Sequence, residues 1–510
     1  MDPVELSLFS SRIQFVCEEM GAVLRRTAFS PNIKDRLDFS CAVFDAAGQL
    51  CAQAAHIPVH LGSMAYAMAD IIGRLDWQEG TMVILNDPYL GGTHLPDVTL
   101  IAPLFGQRRH LGFVANRAHH ADIGGRTPGS MPLADTLEDE GLIIPPSYLM
   151  RDGEISEELL THILSTTRNP SIGRGDLAAQ ISANLVGLKR LNHLVNRMGQ
   201  GPYGDALGAL NDYAESLAIA GLSNIPSGTY RFQDVMDDDG YGRGDIPIKI
   251  AITVSPRRIH VDFSGTAKQV RGNINCPLSV AAAAVYYTFH CLMPPHTPAC
   301  TGSFRPITLN APKGCLLNAR RPAAVAAGNV ETSTRVVDVV LGALAKAVPE
   351  RIPAASHGSM NNVAMGSDNW DYYETLGGGM GAGRHGGGLS GVQTHMTNTL
   401  NTPVEVVEMY YPLRIRRYTL RDNSGGLGLR AGGDGLEREY EFLANTTVTL
   451  LTERRFHAPW GLNGGSDGQC GVNLLNDHPL PAKVSFIAGR GDRLTIKTAG
   501  GGGWGLSNRE

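Results

Sequence analysis

Residues 94–122 read HLPDVTLIAPLFGQRRHLGFVANRAHHAD, and this stretch predicts a β-hairpin. Two apolar runs, at residues 98–104 and 111–118, flank a polar segment that has the composition of a turn. If the two runs pair antiparallel about that turn, Asp97 lies beside His119. The hairpin therefore predicts that polar side chains from both ends of the stretch meet at one edge of a sheet.

Three of these side chains, His94, Asp97 and His119, are suited to binding a metal ion, and Asp38 is a fourth candidate. Two imidazoles and two carboxylates suit a borderline or hard divalent ion such as Zn, Mn, Fe or Co. The alternative is that these are ordinary turn residues, with Asp97 capping a strand and the histidines half-exposed.

Periodicity elsewhere predicts both helices and strands, and so an α+β fold with several β-sheets. Apolar residues spaced three and four apart favour a helix over residues 7–26 and a mostly helical segment over residues 155–220. The other predicted elements are helices at 62–72, 281–291 and 334–347, and strands at 81–86, 246–254, 258–263, 370–375, 446–451, 471–475 and 494–498.

The chain has 510 residues, which predicts about three domains at roughly 150 residues each. A segment rich in Ser, Pro, Gly and Asn at residues 221–230 marks the first boundary. We expect a metal-bearing N-terminal domain with a helical C-terminal part (1–225), a central mixed α/β domain with a Gly-rich loop (226–430), and a β-rich, Gly-rich region (431–510).

Composition excludes several classes of protein. The net charge is −5 and no Lys- or Arg-rich block occurs, so no nucleic-acid partner is indicated. The longest apolar run, residues 278–289, is too short to cross a membrane, and the N-terminus lacks the basic segment of a signal peptide. The eight cysteines form no CxxC pair and are expected to be reduced, as in a soluble cytoplasmic protein.

Glycine accounts for 61 residues, and nine of them lie between residues 377 and 391. The pattern GxGxxG occurs at 381–386 and at 500–505, but neither copy lies in the strand–turn–helix unit that a dinucleotide site needs. No GxxxxGK[ST] P-loop occurs. If the protein uses ATP, something other than a P-loop in this chain must bind it.

Four further polar residues, Glu331, His357, His395 and Asn398, are candidate substrate contacts. Glu331 belongs to the segment GNVET that precedes the helix predicted at 334–347, so its alternative role is to cap that helix. For His357, His395 and Asn398 the alternative is packing within a loop.

Many motifs occur in one order along nearly the whole chain. They are RTAFSPNIK (26–34), DFSCA (38–42), NDPY (86–89), HHADIGG (119–125), DFSGT (262–266), GNVET (328–332), HGSMNN (357–362), HMTNT (395–399), ERR (453–455) and GGGGWG (500–505). In these motifs the chain resembles the hydantoinase B/oxoprolinase family, the B subunits of ATP-dependent N-methylhydantoinases. Relatives in that family include 5-oxoprolinases, caprolactamases, and acetone and acetophenone carboxylases.

The resemblance implies a reaction shared between two chains in a hetero-oligomer. An A subunit with an actin-like ATPase fold is expected to bind ATP-Mg and to phosphorylate a small cyclic amide. The B subunit, to which this chain corresponds, is expected to hold a divalent ion, Zn or Mn or else Fe, whose water attacks the phosphorylated substrate. Carried over by motif, its ligands are Asp38, His94, Asp97 and His119.

Two residues beside these ligands, His120 and Asp122, are the predicted catalytic pair, as general base or as groups that orient a ligand. Asp35 neighbours Asp38, and relatives often have Glu there, so either acid is a candidate for an indirect role. Relatives also often have acidic residues in the loop at 377–391, where this chain has Arg384, His385 and glycines.

Two alternatives to a cyclic amidohydrolase stay open. In an ATP-dependent ketone carboxylase of the acetone or acetophenone type, the same pocket would guide a phosphorylated enol toward carbon dioxide from bicarbonate. Carboxylase members tend to be longer than this chain, which favours the hydrolase. In a non-catalytic assembly or regulatory subunit, the chain would shape a site that lies in its partner.

Overall fold

The computed structural model describes residues 2–60 and 62–507. Its α-helices over those residues are α1 (Pro3–Thr27), α2 (Pro31–Lys34), α3 (Ser63–Ile71), α4 (Leu137–Glu140), α5 (Glu157–Ser165), α6 (Pro170–Met198), α7 (Gln200–Leu222), α8 (Leu278–His290), α9 (Thr301–Phe304), α10 (Ser333–Leu344) and α11 (Val404–Tyr410). None of these described helices is both long enough and apolar enough to cross a membrane.

The strands over the same residues are β1 (Phe39–Asp45), β2 (Leu50–Ala55), β3 (Met82–Leu85), β4 (Asp97–Gly106), β5 (Arg109–His119), β6 (Ser147–Arg151), β7 (Glu154–Ile155), β8 (Gly228–Asp238), β9 (Gly244–Ser255), β10 (Arg258–Asp262), β11 (Ile307–Asn310), β12 (Asn362–Ser367), β13 (Trp370–Glu374), β14 (Leu413–Arg421), β15 (Gly435–Phe442), β16 (Thr446–Leu451), β17 (Val472–Leu475), β18 (His478–Leu480), β19 (Lys483–Ala488) and β20 (Arg493–Lys497). They form four sheets, with the orders β2-β1-β5-β4-β3-β6-β7, β11-β10-β9-β8, β13-β12-β16-β19 and β14-β15-β20-β17-β18. The α+β fold with several sheets is therefore confirmed.

The first sheet is covered by helices on both faces. Because side chains alternate along a strand, Val43 and Val114 face α1 and α6, whereas Phe44 and Phe113 face α3. All four side chains are buried. The sheet therefore forms the middle layer of a three-layer unit, and its strand ends are the part left for polar side chains.

Helix α1 shows how the sequence builds one of these outer layers. Asp2 caps it by accepting a hydrogen bond from the Val4 amide, and Pro3 takes the first turn, where no amide hydrogen bond is lost. The residues that the predicted helix at 7–26 places on one face are buried against the sheet and α6: Phe9, Ile13, Val16, Met20 and Leu24.

Strands β4 and β5 form the predicted hairpin at the centre of the first sheet. The turn consists of Gln107 and Arg108, both with positive φ, as a tight two-residue hairpin turn requires. The register places Asp97 opposite His119. The pairing predicted from the apolar runs is therefore confirmed.

The start of α10 differs from the sequence prediction. The segment Gly328–Thr332 does not cap the helix; it forms a wide π-helical turn that runs directly into it. Thr332 already has helical backbone angles, and its hydroxyl donates to the carbonyl of Ile274. The capping interpretation is wrong, because the helix simply continues upstream of the predicted cap.

The division into domains stays a prediction. The boundary at 225/226 falls between α7 and β8, which belong to different layers. The boundary at 430/431 falls in the connection between β14 and β15, which pair with each other.

The Gly-rich segments lie against one another, backbone to backbone. The amide of Gly501 donates to the carbonyl of Gly433, and the amide of Gly433 donates to the carbonyl of Met380. A Cβ atom on Gly501 would lie 2.1 Å from the Met380 carbonyl oxygen. Glycine is needed here because the chains approach more closely than any side chain allows. The GxGxxG copy at 500–505 and the first glycine of the copy at 381–386 therefore belong to a packed backbone layer.

Candidate metal centre

Neighbouring strands bring the predicted ligands to one edge of the first sheet. Asp97 opens β4, His119 ends β5, and His94 lies in the turn just before β4. Asp38 directly precedes β1, which pairs with β5, and its carbonyl accepts the amide hydrogen of His119 at 3.0 Å. The three-strand order β1-β5-β4 thus gathers residues that are up to 81 positions apart in the sequence.

The side chains of His94, Asp97 and His119 form a compact cluster. Asp97 Oδ1 lies 3.3 Å from His94 Nε2 and 3.5 Å from His119 Nδ1. One ligand atom from each of the three lies within 4.8 Å of the others. Asp38 Oδ2 approaches His119 Nδ1 to 3.9 Å. The geometry is that of a set of donors turned toward a common point.

Burial makes this arrangement costly without a ligand. His94 is 0% exposed and His119 is 2% exposed, so the half-exposed turn residues of the alternative interpretation are not what the fold contains. Within the described residues, both ring nitrogens of His94 lack a hydrogen-bond partner, and so does Nε2 of His119. A buried polar atom without a partner costs about 1–3 kcal/mol. These orphaned nitrogens therefore fit a metal ion.

The protonation states also fit ligation. Burial alone would raise the pKa of the Asp97 carboxyl, but His94 and His60 beside it outweigh burial and hold that pKa well below its usual range. Burial lowers the pKa of His119. An ionised carboxylate and a neutral imidazole are the forms that bind metals.

A small cavity of about 20 Å³ adjoins the cluster. Besides the four predicted ligands, its walls include residues that the sequence analysis did not single out: Ile57, Val59, His60, Val330, Met360, Tyr373, Thr375, Thr397 and Thr399. Most of them come from segments far from the hairpin in sequence. Val330, Met360, Thr397 and Thr399 belong to motifs quoted above. No local pattern marks the other five, so only the fold reveals them.

Tyr373, on β13, is the most closely engaged of these wall residues. Its ring stacks on His119 with centroids 4.9 Å apart and planes 5° from parallel. Its hydroxyl donates to Asn362 Oδ1 at 2.6 Å, and its other side meets the guanidinium of Arg36. Tyr373 therefore fixes the plane of the His119 imidazole.

The predicted catalytic pair lies elsewhere. His120 points away from its neighbour His119, because side chains alternate along a strand, and its Nε2 bonds to Gln180 Oε1 on α6 at 2.8 Å. Asp122 accepts hydrogen bonds from Ser130 and from the Arg168 backbone. Neither residue lines the cavity, so the catalytic roles predicted for them have no geometric support.

The predicted substrate contacts divide into two groups. Glu331 and His357 are buried and His395 is half-buried, and each has at least one side-chain atom that bonds to no described residue. Burial, followed by the neighbouring His395, lowers the pKa of His357 to about 3, so this ring is neutral. Asn398 is exposed, and its side chain donates to the His56 carbonyl, outside the cavity. The structure thus turns Asn398 away from the site.

Glu331 gives a prediction about pH. Burial raises its pKa to about 8, and its Oε1 accepts hydrogen bonds from the Met360 amide and Asn362. The native state holds this proton, whereas the unfolded chain releases it near the ordinary value of 4.5. The resulting stability is complete below that value and is lost as the pH rises toward 8.

We therefore expect the Glu331→Gln variant not to show this loss of stability with rising pH. Between about pH 5 and pH 9 the free energy of unfolding should fall by about 4 kcal/mol less in the variant than in the wild type. Urea unfolding at a series of pH values measures the difference. Parallel pH profiles for the two proteins would contradict the protonated state assigned to Glu331.

Comparisons with known proteins agree with this geometry. A sequence model of the family described as Hydantoinase B/oxoprolinase matches residues 2–507. The 5-oxoprolinase 1 of Arabidopsis thaliana is 40% identical, over 99% of this chain and 42% of that protein. A protein of Pseudomonas sp., named as a candidate B subunit of a D-/L-hydantoinase, is 31% identical over 99% of this chain and 90% of that protein.

A solved structure has the same fold over nearly the whole chain. The ATP-dependent caprolactamase from Pseudomonas jessenii superposes with a TM-score of 0.92 at 27% identity, covering 99% of this chain and 91% of that one. The chain spans about two fifths of the length of the 5-oxoprolinases that it matches.

Proposed function

Since this chain belongs to the hydantoinase B/oxoprolinase family, we propose that it is the B-type subunit of an ATP-dependent cyclic amide hydrolase. A partner of the A type binds ATP-Mg and phosphorylates the substrate. This chain holds a divalent ion and provides the chamber in which water attacks the activated ring.

The observation that carries the proposal is the buried cluster of His94, Asp97 and His119 beside a cavity. We propose these three and Asp38 as ligands of Zn, Mn or Fe, which all accept two imidazoles and two carboxylates. Such an ion, when bound, lowers the pKa of a water molecule and stabilises negative charge that develops on the substrate.

The chain's own residues supply the rest of the chamber. Aliphatic walls such as Val59 and Val330 limit the water that reaches the site. Thr397 Oγ1 and Asn329 Oδ1 line the cavity and bond to no described residue, so they are free to orient a polar ring. Glu331, which is protonated at neutral pH, directly follows the cavity-wall residues Asn329 and Val330 in the sequence. We propose it, with His357 and His395, as a substrate contact.

The chemistry and the sequence both support a partner. An amide carbonyl resists water because the nitrogen lone pair is delocalised, and phosphorylation of its oxygen makes the carbon electrophilic. This chain has no P-loop. The matched 5-oxoprolinases carry more than half of their length outside the region shared with this chain. An A-type chain supplying the phosphorylation fits both facts.

Phosphate release from ATP by the complex of this chain with its A-type partner tests the proposal. The substrates are hydantoin, N-methylhydantoin, 5-oxoproline, a lactam and a ketone, each with and without bicarbonate. We expect phosphate release coupled to ring opening of at least one cyclic amide without bicarbonate. Product formation only with bicarbonate and a ketone would replace the hydrolase with a carboxylase.

A further inference from the structure

His60 lies beside the metal cluster, next to Oδ2 of Asp97. It ends a short 3-10 turn at Pro58–His60 and is 1% exposed. Its Nε2 lies 3.3 Å from Asp97 Oδ2, and its Nδ1 lies 2.9 Å from Ser40 Oγ. None of the motifs that identify the family includes this residue.

The two oxygens of Asp97 have separate sets of neighbours. Oδ1 faces the nitrogens of His94 and His119. Oδ2 faces His60, and it also accepts a hydrogen bond from the hydroxyl of Thr93. With two donors on Oδ2, the carboxylate has one orientation, and Oδ1 is the oxygen presented to the cluster.

Asp97 determines which nitrogen of His60 carries the hydrogen. A carboxylate only accepts, so Nε2–H donates to Asp97 Oδ2, and the Ser40 hydroxyl, which can donate or accept, then donates to Nδ1. Ser40 lies two positions after Asp38 on the same strand edge. One strand end therefore provides both a proposed ligand and the partner of His60.

The backbone of His60 is held as firmly as its ring. The hydroxyl of Ser63 donates to the His60 carbonyl at 3.1 Å and accepts from the buried Arg117 guanidinium at 2.8 Å. Arg117 also bonds to Thr99 on β4, the strand that begins with Asp97. The turn that carries His60 and the strand that carries Asp97 thus share one buried anchor.

We infer that His60 is a positioning residue, which holds Asp97 in the orientation that binds the metal ion. The inference rests on the proposed function, since it needs the ion at that cluster. Residues that orient metal ligands in this way typically change metal affinity by about 10- to 100-fold when removed. The side chain acts through Asp97.

Zinc affinity, measured by chelator competition on the purified chain, tests the inference. We expect His60→Ala to bind Zn²⁺ about 10- to 100-fold more weakly than the wild type. His60→Gln should recover most of the affinity, because its amide nitrogen reaches the place of the imidazole Nε2, and the shorter His60→Asn should not. The matched control is His110→Ala, at the far end of the strand that carries His119.

The outcomes separate this inference from the proposed function. A wild-type chain that binds no Zn²⁺, Mn²⁺ or Fe²⁺ would overturn the proposed metal site itself. A wild-type chain that binds Zn²⁺, with unchanged affinity in His60→Ala and a loss in Asp97→Asn, would overturn only the role of His60. If His60→Ala does not fold, equal affinities of His60→Gln and His60→Asn would overturn it in the same way.

Discussion

His94→Ala is expected to lose the metal ion and, with it, ATP-dependent ring opening, while the chain still folds and still assembles with its partner. Neither ring nitrogen of His94 bonds to a described residue, so truncation removes no hydrogen bond from the fold. We expect metal affinity and turnover each to fall by more than about 100-fold, which is the upper end for residues that only orient a ligand. Elemental analysis and phosphate release measure the two effects.

The matched control is His120→Ala, which removes a buried histidine at the same edge of the sheet. His120 bonds to Gln180 and does not line the cavity, so this variant should keep its metal. Unchanged metal content in His94→Ala would contradict the ligand assignment. Loss of turnover with intact assembly would argue against a purely structural subunit, and unchanged turnover would favour one.

The part of the candidate site that could be predicted from the sequence depends on residues close together in the chain. A β-hairpin has a fixed register once its apolar runs and its turn are known, so the meeting of Asp97 with His119 could be predicted from one stretch. Asp38 is a fourth candidate in the sequence itself as well as by family resemblance, and the pairing of β1 with β5 explains its position. These contacts depend on neighbouring strands only.

The parts that could not be predicted from the sequence depend on distant segments. His60 and Tyr373 approach the cluster from a short turn and from a different sheet, and no periodicity relates them to the hairpin. His120 shows another limit: it neighbours the proposed ligand His119 in sequence, but its ring bonds to Gln180 on α6. The spacing of residues in a sequence predicts which face of a sheet a side chain occupies only if the residue at which the strand ends is known.

The Gly-rich segments show a further limit of local patterns. The sequence around the GxGxxG copies at 381–386 and 500–505 was enough to exclude a dinucleotide site. It was not enough to predict the role that these glycines have. That role depends on which backbones are neighbours. Gly433, for example, lies between the chain near Leu389 and the chain near Gly501.

This packing predicts that Gly501→Ala will strongly destabilise the chain. The added Cβ would lie 2.1 Å from the carbonyl oxygen of Met380 and 2.7 Å from the amide nitrogen of Gly381, so backbone atoms must move. Overpacked substitutions typically cost about 1–3 kcal/mol and occasionally more, and here no side chain can move aside. We expect a loss of about 3 kcal/mol or more in the free energy of unfolding.

Gly204→Ala is the matched control, because it makes the same chemical change where space is open. Gly204 lies on the exposed side of α7, and no atom outside its own helix lies within 4 Å of an added Cβ. Alanine favours a helix over glycine by about 0.5–1 kcal/mol, so this variant should be slightly more stable than the wild type. Urea unfolding of both variants gives the comparison. Equal stabilities would show that the glycine layer tolerates side chains, and the Gly-rich segments would then need a role other than close backbone packing.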